Sequence, residues 1–151
     1  GTEDVDLNKV VSDFMLLRRK IIAEKSALIN ANDLPILNTH KAAITQIFHC
    51  LLDNALKYSK AGTSPKVEIE VEENEKEWRF SIQDNGIGID PQFYDKIFII
   101  FQRLHNKDMY DGTGIGLSIA KRHLEFLGGR IWLKSVPGEG TVFYFLIPKI
   151  K

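Results

Sequence analysis

Two glycine-rich segments carry the residues that could do chemistry: Asp84-Asn85-Gly86-Ile87-Gly88 and Gly112-Thr113-Gly114-Ile115-Gly116-Leu117. Upstream stands Asn54-Ala55-Leu56-Lys57-Tyr58. An ionised carboxylate only accepts hydrogen bonds, so Asp84 suits the exocyclic amine of adenine and disfavours the carbonyl that guanine has there. Asp-Asn-Gly is also ordinary turn chemistry, and the two readings stand side by side. Gly86 and Gly88 favour the ligand, because two glycines in five residues let a backbone pass close to a flat ring. Glycines at 112, 114 and 116, followed by a helix, offer free N–H groups and a positive dipole end to phosphates. A dinucleotide fingerprint does not fit, since the third glycine comes one residue early and no strand precedes it. A Walker-type loop does not fit either, since no Gly-Lys-Ser/Thr follows. A plain hinge is the remaining alternative.

Asn54 supplies the hard oxygen that a phosphate-bound magnesium ion takes, and Lys57 a point cation for phosphate charge. Either alone reads equally well as a solvated helix face. Arg103, in Phe98-Ile99-Ile100-Phe101-Gln102-Arg103, could set a guanidinium on a terminal phosphate, with Phe98 and Phe101 anchoring a lid. A purely structural role for these three is the competing reading. His40, His49, His105 and His123 form no ligand cluster in sequence.

These groups need elements to hold them. Leu7, Val10, Val11, Phe14, Leu17 and Ile21 recur at helical spacing and predict a helix over 7–25 capped by Asp6. Asn32-Asp33-Leu34-Pro35 breaks the pattern, with a short strand before it near Leu28 to Asn30. A helix over 40–59 buries Ile44, Ile47, Leu51, Ala55 and Tyr58, and carries Cys50, Asn54 and Lys57 on an adjoining stripe. Val67, Ile69 and Val71 alternate with Glu68, Glu70 and Glu72, which predicts a strand with one wet face. The return strand puts Trp78, Phe80 and Ile82 on one face, and Asp84 continues that parity. A carboxylate aimed inward is costly unless a donor meets it. From Ile89 to Asp111 the pattern is mostly aperiodic, with short helical turns between Phe93 and Leu104, and reads as a functional lid. A helix over 115–127 ends at Gly128-Gly129. Strands follow at 131–135 and 141–147. The order predicts an α+β fold: a two-layer α/β sandwich whose mixed, mostly antiparallel sheet is covered on one face by about three helices.

The bulk properties bound the answer. The chain has 151 residues, the size of one domain, and 44% of them are hydrophobic. Twenty basic residues balance twenty acidic ones, so no basic field argues for nucleic acid. One cysteine, Cys50, rules out a disulfide framework and a cysteine-built zinc site. No apolar run approaches a membrane span and no signal peptide is visible, so a cytoplasmic domain without membrane contact is the expectation.

In this order the segments resemble the catalytic ATP-binding domain of bacterial sensor histidine kinases, within the wider GHKL ATPase group with its Bergerat-type fold. The resemblance runs from about Leu7 to Pro148. The N box resembles Asn54 to Tyr58, the first glycine box Asp84 to Gly88, the F box Phe98 to Phe101 and the second glycine box Gly112 to Leu117. The ending Gly138-Glu139-Gly140-Thr141-Val142-Phe143 also matches, and Phe101 to His105 resembles the phytochrome- and PAS-linked kinases. The resemblance implies ATP and Mg2+ as cofactors. It implies that Asp84 takes the adenine amine with Thr141 helping through water, that Gly86 and Gly88 admit the ring, and that Asn54 binds the metal. Lys57 and Tyr58 would touch the nucleotide, Arg103 would reach the phosphates, and Gly112, Thr113, Gly114, Gly116 and Leu117 would shape the lid's end. Asn54, Lys57 and Arg103 would be the catalytic set. The implied partners are a phosphoacceptor histidine on a helical domain of the same protein and a downstream response regulator. The chain departs from the family at Cys50, where an asparagine is usual and ATP hydrolysing relatives have glutamate, and at Ile99, where an acidic residue is common. Thiols are poor ligands for hard cations. A degenerate nucleotide- or partner-binding module is therefore the second reading, and a hydrolase of the gyrase or MutL type the third.

Overall fold

The computed structural model describes residues 1–99 and 115–149. The expected roles of Phe101, Arg103, Gly112, Thr113 and Gly114 fall outside those residues. The elements in order are β1 (Glu3–Asp6), α1 (Leu7–Leu17), α2 (Arg19–Lys25), β2 (Leu28–Ala31), β3 (Ile36–Thr39), α3 (Lys41–Lys57), β4 (Lys66–Glu73), β5 (Glu77–Asp84), a 3-10 turn at Pro91–Phe93, α4 (Ile115–Phe126), β6 (Arg130–Val136) and β7 (Gly140–Pro148).

The main sheet has the order β2-β4-β5-β7-β6. Among the described residues only β2 and β4 pair in parallel; β4–β5, β5–β7 and β6–β7 are antiparallel. A parallel neighbour requires a crossover, and the chain between β2 and β4 contains α3. That helix is therefore laid on the sheet. Its residues Ile44, Ile47, Phe48, Leu51 and Leu52 are fully buried. Phe48 meets Phe80 and Phe145 edge-on at 5.7 and 5.6 Å, and Phe80 and Phe145 stack at 4.9 Å. Each such ring contributes about 2–3 kcal/mol through burial, so this trio is the centre of the core. The opposite sheet face carries the exposed residues Glu68, Glu70 and Glu72 of β4. Beyond them Trp132 and Tyr144 stack at 5.4 Å under the guanidinium of Arg79. The layers are those expected from the sequence.

Three features differ from the expectation. The first helix is broken at Arg18, whose backbone (φ −103°, ψ 16°) leaves the helical region. Its guanidinium reaches across to Asp53 of α3 with a double hydrogen bond of 2.8 and 3.0 Å. Both side chains are more than a third exposed, so the pair adds at most about 1 kcal/mol. The β1–β3 ribbon is absent from the sequence reading, because four residues such as Glu-Asp-Val-Asp show no alternation of apolar residues. Asn8 holds it to α1: its side chain donates to the Leu34 carbonyl at 2.9 Å and accepts from the Leu34 N–H at 3.0 Å. Finally, α3 buries more than one stripe, since Phe48, Leu52 and Leu56 point inward as well.

Candidate functional site

Asp84 ends β5 beside Thr141 of β7, which in turn pairs with Ser135 of β6. Directly opposed residues in antiparallel strands share a face, so these three side chains form a polar row on the helix-covered side. The Asp84 Oδ1 atom accepts from the Gly86 N–H at 2.9 Å and the Thr141 N–H at 3.2 Å. Its other oxygen, Oδ2, has no donor among the described residues. Burial pushes the acid up to about 6, although the two N–H bonds act in the opposite direction. One oxygen is thus fixed to the scaffold and the other is presented.

The glycines of the loop have a reason internal to the fold. A Cβ on Gly86 would lie 2.4 Å from the Tyr58 carbonyl oxygen, and the same carbonyl accepts from the Ile87 N–H at 3.0 Å. This close approach binds the C-terminal end of α3 to the Asp84 loop. Gly88 has φ +76°, and a Cβ there would lie 2.3 Å from the Val136 carbonyl oxygen. The loop is therefore held between α3 on one side and the β6–β7 turn on the other.

The end of α3 meets this loop at Tyr58, with Lys57 and Asn54 preceding it on the helix. Asn54 is half-buried and Lys57 exposed, with the Lys57 ammonium 5.5 Å from the Tyr58 ring centroid. Lys25 closes the helix end, donating to the Leu56 carbonyl and to Ser59 Oγ at 2.6 and 2.8 Å. A cation there complements the helix dipole. Cys50 is half-buried, and burial pushes its thiol up to about 11. It is a neutral thiol at working pH and no partner for a hard cation. Gly116 lies in the first turn of α4. Leu117 is buried in the hydrophobic core. Phe98 packs edge-on against Phe143 at 6.3 Å.

Two residues that the sequence reading passed over complete the site. Ser135 Oγ accepts from the Ile89 N–H at 2.7 Å and lies 2.8 Å from both the Gly140 carbonyl and Thr141 Oγ1. The Tyr94 hydroxyl accepts from the Ser135 N–H at 2.8 Å and donates to the Ser135 carbonyl at 3.0 Å. Together they staple the segment after Gly88 to β6. The signal was present: Ile131, Leu133 and Ser135 share the inward parity, and a hydroxyl at the buried end of that run is as informative as the carboxylate at Asp84.

In the folded chain Asp84 is a weaker acid than a free aspartate, titrating at about 6 rather than 3.8. The contribution to stability is complete below pH 4 and is lost as pH rises through 6, at a cost on the order of 3 kcal/mol. A ligand bringing an N–H donor to Oδ2 favours the ionised form and offsets that cost. Affinity for an adenine nucleotide is therefore expected to fall roughly tenfold between pH 7 and pH 5. Calorimetric titrations compared with Asp84→Asn, which removes this titration but leaves the nucleotide's own, check it.

Residues 39–151 match the family model described as histidine kinase-, DNA gyrase B- and HSP90-like ATPase. The phytochrome-like protein Cph1 of Synechocystis is 44% identical over 143 residues, which cover 95% of this chain and 19% of that protein. The chain thus spans about a fifth of the length of this relative. Among solved structures, the catalytic domain of histidine kinase ThkA in a nucleotide-free form superposes with a TM-score of 0.81 at 26% identity, covering 99% of this chain and 98% of that one. Full-length ShkA in complex with AMPPNP gives 0.81 at 26% identity, over 98% of this chain and 31% of that one. With sequence and fold in agreement, the chain belongs to the histidine kinase-, DNA gyrase B- and HSP90-like ATPase family, as an ATP-binding catalytic domain of the sensor histidine kinase type.

Proposed function

We propose that the domain binds ATP with its adenine amine on Asp84 Oδ2 and transfers the terminal phosphoryl group to a histidine on a separate phosphoacceptor domain. The observation that carries the reading is the divided carboxylate: Oδ1 occupied by two backbone donors, Oδ2 without one among the described residues. Full-length ShkA with AMPPNP, a likeness over nearly all of this chain, supports a nucleotide in this fold. The triphosphate then runs towards the end of α3, where Lys57 and Tyr58 meet it, and towards Gly112–Gly116, with Arg103 on the terminal phosphate. Asn54 would offer its amide oxygen to Mg2+, a hard donor for a hard cation. The bound ion would neutralise phosphate charge. In the transfer a neutral imidazole nitrogen attacks the γ-phosphorus, the bond to the β–γ bridging oxygen breaks, and ADP leaves with the electron pair. Such a reaction asks the protein mainly for positioning and charge neutralisation.

Cys50 favours a second reading, a module that holds nucleotide but transfers nothing. Mixing the chain with a separately produced acceptor domain and γ-labelled ATP distinguishes them. Acid-labile, base-stable label on the acceptor is the expected outcome, reduced at least tenfold by Asn54→Ala. Bound nucleotide without any phosphohistidine would establish the module instead.

A further inference from the structure

We propose that Ser135 is a positioning residue that fixes the hydrogen-bonding sense of Thr141, so that the base pocket presents only acceptors and selects a purine 6-amine over a 6-carbonyl. The inference rests on the nucleotide reading above and adds a specificity determinant to it.

A serine hydroxyl has one proton and two lone pairs. The Ile89 N–H takes one lone pair of Ser135 Oγ, at 2.7 Å. Two groups stand at 2.8 Å from the same oxygen: the Gly140 carbonyl, which can only accept, and Thr141 Oγ1, which can do either. If Ser135 donates to Gly140, Thr141 donates to the remaining lone pair, and three hydrogen bonds saturate the serine. If Ser135 donates to Thr141 instead, the Gly140 bond is lost and the second lone pair has no donor. Thr141 is 4% exposed, and a buried site favours the arrangement that satisfies more groups. The Thr141 proton therefore points to Ser135, away from Asp84.

The consequence lies next to Asp84. Thr141 shares its face by register, and its backbone N–H already serves Asp84 Oδ1 at 3.2 Å. What the threonine hydroxyl has left is lone pairs. Carboxylate and hydroxyl then both demand a donor, directly or through a water whose protons they orient. An amine meets that demand, whereas a carbonyl meets it nowhere. Tyr94 keeps the relay in register by bonding both backbone groups of Ser135.

The test compares ATP with inosine triphosphate, which differs by a carbonyl and a ring N–H, using calorimetry on the whole chain. Thermal melts establish that each variant is folded. Ser135→Ala frees the Thr141 proton to turn towards the base, and is expected to narrow the ATP-to-ITP preference about tenfold, the worth of one buried hydrogen bond. Ser135→Thr keeps the hydroxyl and is expected to restore the preference. In a Thr141→Val background, Ser135→Ala is expected to cause no further narrowing. If Ser135→Ala weakens both nucleotides equally and leaves their ratio at the parent value, the relay is overturned while the nucleotide site stands. If the parent chain binds neither nucleotide, the underlying reading falls and the relay with it.

Discussion

Asp84→Asn is expected to weaken ATP binding about 100-fold while raising the melting temperature, a combination that general damage to the fold does not produce. The geometry dictates both signs. Oδ1 is claimed by the N–H groups of Gly86 and Thr141, so the asparagine must place its oxygen there. Its NH2 group then occupies the Oδ2 position and turns a donor towards the adenine amine. A charged hydrogen bond worth roughly 1.5–3 kcal/mol is replaced by two opposed donors. The stability effect comes from the same atom. Burial holds the acid at about 6, so at neutral pH the folded chain carries a charge that its surroundings disfavour. A neutral isostere removes that cost, on the order of 3 kcal/mol. Calorimetry and thermal denaturation on one sample measure both. A binding site bought with stability is a common trade in functional sites, and here it resides in one carboxylate.

Gly88→Ala is expected to destabilise the chain by about 3 kcal/mol, lowering the melting temperature by roughly 6–12 °C for a domain of this size. The new methyl carbon would stand 2.3 Å from the Val136 carbonyl oxygen and 2.8 Å from Pro137 Cα, both backbone atoms, on a residue with φ +76°. Neither neighbour is the flexible end of a side chain, so the β6–β7 turn or the Asp84 loop must shift. Gly138 and Gly62 supply the controls. Their φ values are +82° and +76°, yet an added Cβ meets nothing within 4 Å at either. Alanine there costs only the conformational term, about 1 kcal/mol. A melt in which all three variants lose the same amount would contradict the packing explanation.

Much of this was legible in the sequence because of parity. Val67 to Glu72 and Trp78 to Asp84 alternate cleanly, and the inward carboxylate that follows from that alternation is where the structure puts it. The helix over 41–57 was legible for the same kind of reason, with the hydrophobic period marking its buried side. The break at Arg18 was not, since nothing local interrupts the helix: there is no proline or glycine, and the arginine's partner, Asp53, lies far along the chain. Strands β1 and β3 were not legible because four-residue strands draw their pairing from tertiary context. At the site, the glycines were read as room for a ligand ring. The structure gives them a second duty, backbone-to-backbone packing against Tyr58 and Val136, which no spacing rule reveals. Ser135 shows the reverse: its parity was visible, but its partners converge only once β6 and β7 are paired.

The most direct measurement follows the Asp84 side-chain carboxyl carbon by NMR across a pH titration, with and without saturating ADP. Without nucleotide the carboxyl is expected to titrate near 6. With ADP bound, an amine donating to Oδ2 holds the acid ionised and moves the midpoint down by one unit or more, about the worth of one charge-assisted hydrogen bond. An unchanged midpoint in the nucleotide-saturated protein would contradict the contact between Asp84 and the base.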